Sequence, residues 1–411
     1  MSTATKGTTG TATKGATGTA TKDATGTATL RLPDVTLPPE AEELRTEVRE
    51  FIAEERAKGV IQPQSDPWLA GLDPDFSARL GSRGWLGMTW PRRYGGHELP
   101  SLHRFVVIEE LLAAAAPVGL HWVTDRQSGP ALLRYGTEEQ RQRMLPGMAA
   151  GKTFFCIGMS EPDSGSDLAS VRTTGTRDEG AGGWRLNGTK VWTSQAHRSH
   201  YMIVLCRTSP LADGGRHDGL SQLIVELPSP GLTISPIRLL DGEHHFNQVV
   251  FDDVLVPDSM VIGQIGQGWA QVTSELAYER SGPERFLSTL PLLLELIRVA
   301  DPHDRRQACA IGQLVAQLWT LRRLSLRIAG ALDRGDAPDV PAAVVKDLGT
   351  TLENEIIDVT RSVAPVEPSL SSDDPLAREL GRAVLHSPGF TLRGGTNEIL
   401  RGIIARGLGM R

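Results

Sequence analysis

Apolar residues recur at three- and four-residue spacing from Pro38 to about Gly151, as in Leu44, Val48, Phe51 and Ile52 and again from Phe105 to Leu112. That period predicts amphipathic helices and an all-helical first domain over residues 34–151. Between Thr153 and about Gly266 the texture changes. Short β-rich runs (Tyr201 to Leu205, Leu223 to Leu227, Gln248 to Phe251) stand between Gly, Pro, Asn and Asp, so residues 152–266 read as a small β-barrel or sandwich. After Gly268 the helical period returns, with long stretches at Leu290 to Val299, Ile311 to Leu332 and Ala342 to Val363, and defines a helical bundle over 267–411. Helices, then strands, then helices predict an α+β chain of segregated layers and exclude an alternating α/β sheet.

Residues 1–33 break the pattern. Three near-copies of an octad, TATKGTTG, TATKGATG and TATKDATG, carry almost no large apolar side chains, which predicts a disordered low-complexity tail. The tract has no apolar core of a signal peptide and no arginine before Arg31, so a targeting role is the weaker reading. A length of 411 residues with 39% hydrophobic content accommodates two or three domains. A net charge of −6 without a long basic block argues against nucleic acid or an anionic membrane surface as partner, and no run reaches the ~20 apolar residues of a membrane span. Cys156, Cys206 and Cys309 are odd in number and lack metal-ligand spacing, which predicts buried free thiols in a reducing cytoplasm.

Three segments carry the chemistry. FFCIGMSEPDSGSD (Phe154 to Asp167) combines hydroxyl and glycine positions that leave backbone N–H groups open to an anion; Val191-Trp192-Thr193-Ser194 adds an indole able to cover a flat ring; Gly394-Gly395-Thr396-Asn397-Glu398 is a tight turn before an amphipathic helix. Taken singly, Trp192 reads as core, SGS as a turn, and Thr396 or Asn397 as a helix cap. No GxxxxGK or strand-linked GxGxxG is present. Together with Gly84-Trp85-Leu86-Gly87, Leu133-Arg134-Tyr135-Gly136-Thr137 and Phe251-Asp252-Asp253-Val254-Leu255-Val256-Pro257, these segments closely resemble the acyl-CoA dehydrogenase family, from about Leu37 to Arg411. The resemblance implies a helical N-terminal domain, a central β-barrel and a C-terminal four-helix bundle, with FAD held without a Rossmann fold. It implies FAD contacts from Ser160, Ser166, Trp192, Ser194, Arg280, Gly395, Thr396 and Glu398, and no metal.

An acyl thioester is dehydrogenated when a base takes the α-proton and hydride leaves the β-carbon for flavin N5. Many members carry the base, a glutamate, directly before the Gly-Thr of the C-terminal turn. Here that position is Gly394, which has no side chain. Branched- and long-chain members use a glutamate of a Glu-Arg pair on the first bundle helix, and Glu279-Arg280 stands there. The resemblance therefore implies Glu279 as base, with Glu275 and Glu284 as alternatives, and Gly394 N–H as a donor to the thioester carbonyl. The usual Arg-x-x-Phe-Gly segment that reaches a neighbouring subunit's FAD is replaced by residues 300–307, where Arg305 or Arg306 is the candidate substitute.

The expected partners are an acyl-CoA or acyl-carrier-protein substrate, an electron-transfer flavoprotein or similar acceptor, and further copies in a homodimer or homotetramer. Two rivals stay open: a flavin-dependent oxidase or monooxygenase on the same fold, and a non-catalytic subunit of a hetero-oligomer. A base on the bundle helix and Gly394 favour branched or bulky acyl groups. His121, Trp122, Asp125 and Arg126 fit either the acyl pocket or an ordinary helix surface. His244 and His245 read as a loop pair without a third metal ligand.

Overall fold

The computed structural model describes residues 21–22, 28–30, 32–210 and 215–410, with the side chains of residues 275–279 outside the description. Most of the octad tract therefore lies outside the described residues; within it Thr21–Lys22 (β1) and Ala28–Thr29 (β2) pair antiparallel. Val35 and Leu37 then pack against Phe105, Leu326 and Ala329, a small cluster between the two helical halves, and a Cβ on Gly330 would meet Val35 at 2.5 Å.

The N-terminal domain contains α1 (Pro39–Ala57), α2 (Pro67–Ala70), α3 (Pro74–Ser82), α4 (Ser101–Ala113) and α5 (Gly119–Val123). A single π turn, Thr124–Ser128, joins α5 to α6 (Gly129–Tyr135), and α7 (Glu138–Ala149) closes the domain. Sequence chemistry sets these ends. Pro39, Pro67 and Pro74 begin helices where a missing N–H costs nothing, and Thr137 with Gln140 forms a reciprocal capping box on α7.

The central domain is an eight-stranded sheet: β3 (Phe155–Gly158), β4 (Thr174–Asp178), β5 (Gly183–Ser194), β6 (Tyr201–Arg207), β7 (Leu220–Glu226), β8 (Leu232–Arg238), β9 (His244–Pro257) and β10 (Val261–Ile262). Its order is β10-β7-β6-β4-β5-β9-β8, with β3 parallel to β6. The described ladder runs from β10 to β8 without joining the two, so the barrel is an open one.

The C-terminal helices are α8 (Gly268–Arg280), α9 (Leu290–Val299), α10 (Arg305–Asp333), α11 (Asp339–Val363), α12 (Pro375–Phe390) and α13 (Asn397–Gly407). Asp304, Asp374 and Thr396 cap α10, α12 and α13 through side-chain oxygens. The layers are less segregated than the element order suggests. Phe51, Phe76 and Leu112 belong to one continuous core with Leu292, Leu321 and Leu352, while the sheet residues Phe155, Val204 and Val249 share a second core with Trp90, Leu132 and Met144 of the N-terminal domain. The helical halves thus fold as one body with the sheet inserted between them. Cys156 and Cys206 are buried as expected, whereas Cys309 is exposed because it falls on the polar face of α10. No helix among the described residues is long and apolar enough to cross a membrane.

Candidate active site

The Ser160-Glu161-Pro162 motif is built by its glutamate. Glu161 is buried, and its carboxylate accepts from the N–H groups of Arg172 (2.6 Å) and Thr173 (2.9 Å) and from Lys190 Nζ (2.8 Å). Burial opposes the charge, but Lys190 and the N–H donors outweigh it and hold the carboxyl below the usual carboxylate range. Lys190 also donates to Met159 O at 2.9 Å, so the pair fixes the backbone on both sides of Ser160. Val191 N–H donates to Ser160 O at 2.9 Å and brings β5 beside this loop.

Trp192 lies where the β5–β9 register shifts between Lys190 and Thr193. A bulge of this kind re-aims side chains. The backbone of Trp192 takes a φ of 60°, and the indole stands 57% exposed, edge-on to Phe246 at 5.9 Å. Ser194, two residues on, pairs with Phe246 in β9. The structure thus brings together Ser160, Trp192 and Ser194. Ser166 is exposed on the loop beyond, next to Gly165, around whose Cβ position there is nothing within 4 Å. An exposed indole on the strand beside the Ser160 loop, with an unobstructed glycine turn beyond, fits a flat ring with a pyrophosphate, which is the shape of FAD.

The C-terminal turn is held from below. Asn397 is buried; its Oδ1 accepts from Lys346 Nζ (2.8 Å) and Thr350 Oγ1 (3.2 Å). Burial, reinforced by the charges of Arg285 and Arg393, lowers the Lys346 ammonium to about 7. Gly394 and Gly395 adopt φ values of 71° and 89°, and Thr396 accepts from Ile399 N–H as the helix cap. Among the described residues neither glycine N–H donates a hydrogen bond. Glu398 is exposed in the first turn of α13. Arg280 Nε donates to Gly394 O at 3.2 Å, tying the end of α8 to the turn. A Cβ on Gly394 would fall 2.8 Å from Nη2 of the buried Arg285. A guanidinium therefore packs where a side chain at position 394 would begin, a feature that no local sequence pattern signals.

Glu279 occupies the last turn of α8, and its side chain, like that of Glu275, lies outside the described ones. Glu284 follows in the short turn Pro283–Arg285, is 1% exposed, and forms an ion pair with Arg126. Both border a cavity of about 340 Å³ between the two helical halves. Asp125, also on its wall, accepts from Gly87 N–H (2.8 Å) and from Arg104 Nη2 (2.8 Å). His121 and Trp122 border a smaller void beyond Asp125, and His121, bonded to Ser77 Oγ at 2.8 Å, is pushed by burial to about 4 and stays neutral. These four residues are interior, so the helix-surface reading is corrected. Arg306 lies apart and donates to Ser362 O.

A second ionic cluster joins all three domains. Asp66, buried with a φ of 59°, accepts two hydrogen bonds from Arg393, both 2.8 Å, and faces His386 Nδ1 at 3.1 Å. His386 Nε2 meets Asp241 Oδ2 at 2.7 Å, and His245 Nε2 meets Glu243 at 2.5 Å. Burial disfavours the His386 imidazolium, yet the two aspartates outweigh it and raise its pKa. Ligand atoms of Asp241, Glu243 and His386 lie within 4.8 Å of one another, but both His386 nitrogens already face carboxylates. His244 stacks on His197 at 3.9 Å, at the start of β9 and not in a loop.

Residues 38–152 match the family model described as acyl-CoA dehydrogenase, N-terminal domain, and residues 156–254 the middle-domain model. The acyl-CoA dehydrogenase IpdE1 of Mycobacterium tuberculosis is 34% identical over 89% of this chain and 96% of its own. FadE29 of the same organism, also named an acyl-CoA dehydrogenase, is 33% identical over 90% and 97%. The solved structure described as "Tcur3481-Tcur3483 steroid ACAD" superposes with a TM-score of 0.77 at 29% identity, covering 92% of this chain and 100% of the other.

Proposed function

The chain belongs to the acyl-CoA dehydrogenase family and is an FAD-dependent oxidoreductase acting on acyl-CoA, and from that premise we propose that it removes the α-proton of its thioester with Glu279. The observation that carries this reading is the Arg280–Gly394 bond, which holds the last turn of α8 against the C-terminal turn. Glu279 immediately precedes Arg280, so a carboxylate on α8 serves the turn that itself has none. The open N–H groups of Gly394 and Gly395 are positioned to donate to the thioester carbonyl, which acidifies the α-carbon. FAD, when bound, accepts the hydride that leaves the β-carbon. Ser160 and Ser194 supply hydroxyls at the ring margin, Ser166 and Gly165 receive the pyrophosphate, and Trp192 covers one face.

The acyl group enters the cavity between the helical halves, whose apolar side is formed by Phe105, Ile108, Leu133, Ala329 and Leu332. Its volume and the absent turn side chain favour a bulky or ring-bearing acyl group, in keeping with a structural neighbour described as a steroid ACAD. Electrons pass on to an electron-transfer flavoprotein or similar acceptor. Assembly with further chains is supported by exposed apolar residues on three bundle helices, including Leu294, Ile297, Trp319 and Leu348. A relative of 28% identity is described as a ChsE4-ChsE5 complex, so light scattering of the protein alone and with candidate partner chains distinguishes homo- from hetero-assembly.

Anaerobic addition of acyl-CoA thioesters to wild type and Glu279→Gln tests the mechanism. Bleaching of the flavin band in wild type and its loss in the variant is the expected result. Equal bleaching in both removes Glu279 from the role.

A further inference from the structure

The two charged pairs on the cavity wall are not equivalent. Asp125 is saturated: Oδ1 accepts from Gly87 N–H, and Oδ2 accepts from both Nε and Nη2 of Arg104. Glu284 is not. Its Oε1 meets the Arg126 guanidinium, while among the described residues no donor reaches Oε2. Both partners are interior, at 1% and 6% exposure, and both line the cavity.

The backbone beneath is shaped for this carboxylate. A Cβ on Gly282 would fall 2.1 Å from Glu284 Oε2, so any larger residue there would displace the acid. A buried carboxylate oxygen without a donor is costly, and a ligand that brings the donor removes that cost. The neighbouring hydroxyls do not serve: Ser325 Oγ donates to Ser281 O, and Ser274 Oγ donates to Gln271 O and accepts from Tyr135. Arg126, and Arg285 with its Nε 3.7 Å from Oε1, already balance the acid, so a cationic ligand gains little here. A neutral donor suits the site better.

We propose that Glu284, held by Arg126, is a specificity-determining residue that accepts a hydrogen bond from a hydroxyl on the acyl group, so that the cavity selects hydroxylated over plain hydrocarbon acyl chains. This rests on the reading that the acyl group occupies this cavity. Glu284 then acts on binding, not as the base.

Binding is measured on the FAD-loaded enzyme by calorimetry with CoA thioethers, which lack the carbonyl that acidifies the α-carbon and so bind without reduction. The probes are S-(3-cyclohexylpropyl)-CoA and its counterparts hydroxylated at ring C3 or C4. At least one hydroxylated probe is expected to bind on the order of 10- to 100-fold tighter, the span of one hydrogen bond to a charged group. The preference is expected to shrink to near unity in Arg126→Met/Glu284→Met, which replaces the pair by apolar groups of similar volume, a change that buried ion pairs often tolerate. Glu284→Gln, which keeps an acceptor oxygen, is expected to retain part of it. A ratio at or below one in wild type, or a preference that neither variant moves, overturns the proposal. So does a Glu284→Gln enzyme that keeps FAD and the preference yet no longer bleaches with any thioester, since that would make Glu284 the base. If thioesters never bleach the flavin but hydroxylated thioethers still bind tighter, the dehydrogenation reading fails while this one stands.

Discussion

Gly394→Ala isolates what the C-terminal turn tolerates. At a φ of 71° an L-residue is strained by about 1–2 kcal/mol. The new methyl would also lie 2.8, 3.0 and 3.1 Å from Nη2, Nη1 and Cζ of Arg285. An exposed arginine would swing aside at little cost. Arg285 is 3% exposed, with the Trp68 ring 5.6 Å away and Glu284 3.7 Å from its Nε, so the contact adds overpacking of about 1–3 kcal/mol. The expected loss is therefore several kcal/mol, read as a lower urea midpoint by tryptophan fluorescence on the FAD-loaded protein. The sign decides, because glycine to alanine at a compatible position stabilises by about 0.4–1 kcal/mol. A midpoint at or above wild type would refute the packing of Arg285 against the turn. Gly394→Glu in a Glu279→Gln background extends the test: the returned carboxylate would meet a guanidinium that lowers its basicity, and flavin bleaching should stay absent. Recovery of bleaching would refute that account.

Glu161→Ala would leave Lys190 charged and buried without its carboxylate, a change of about 3–5 kcal/mol, and FAD should dissociate more readily in a titration of released flavin. The His386 pKa is raised in the fold by Asp66 and Asp241, so its contribution is complete below the free value of 6.5 and is lost as pH rises through the higher folded value. Urea midpoints from pH 5.5 to 9 should decline more steeply in wild type than in His386→Gln, and parallel curves would refute the linkage. Burial raises Glu353 to about 7, so wild type loses stability as pH climbs from 4.5 through 7; Glu353→Gln, which still accepts from Ser288 N–H, should gain relative to wild type by pH 8. Trp192→Phe should reduce the quenching of tryptophan fluorescence when FAD is added to apoprotein, since the exposed indole is the one proposed to cover the ring.

Helical periodicity located α9 to the residue and α11 within a turn, but began α10 at Ile311 where the helix starts at Arg305, because long amphipathic stripes face a core that spans both helical halves while the first turns of α10 are polar. The apolar runs in the middle segment gave strands but understated β9, whose inward positions include the polar His245 and Asn247 and whose pairing with β5 carries it to Pro257. Thr396, and not Asn397, caps α13, since Asn397 is turned inward to Lys346 and Thr350. Within the cofactor segments the residue types were legible and their support was not. Nothing around Glu161 in the sequence indicates that Lys190, 29 positions on, neutralises it, and nothing near Asp66 points to His386, 320 positions away.

Such long-range pairs decide the chemistry of the turn. A glycine at position 394 taken alone reads as the loss of a base. With Arg285 packed against it, the same glycine is the only residue that admits a guanidinium at van der Waals distance from the turn. A carboxylate placed there would be neutralised by that cation, whereas the proposed base on α8 precedes Arg280, whose bond to Gly394 O ties that helix to the turn. Under the proposed role of Glu279, the bare position 394 and the Glu279-Arg280 pair on α8 complement each other, and a variant that puts a side chain at 394 should conflict with Arg285.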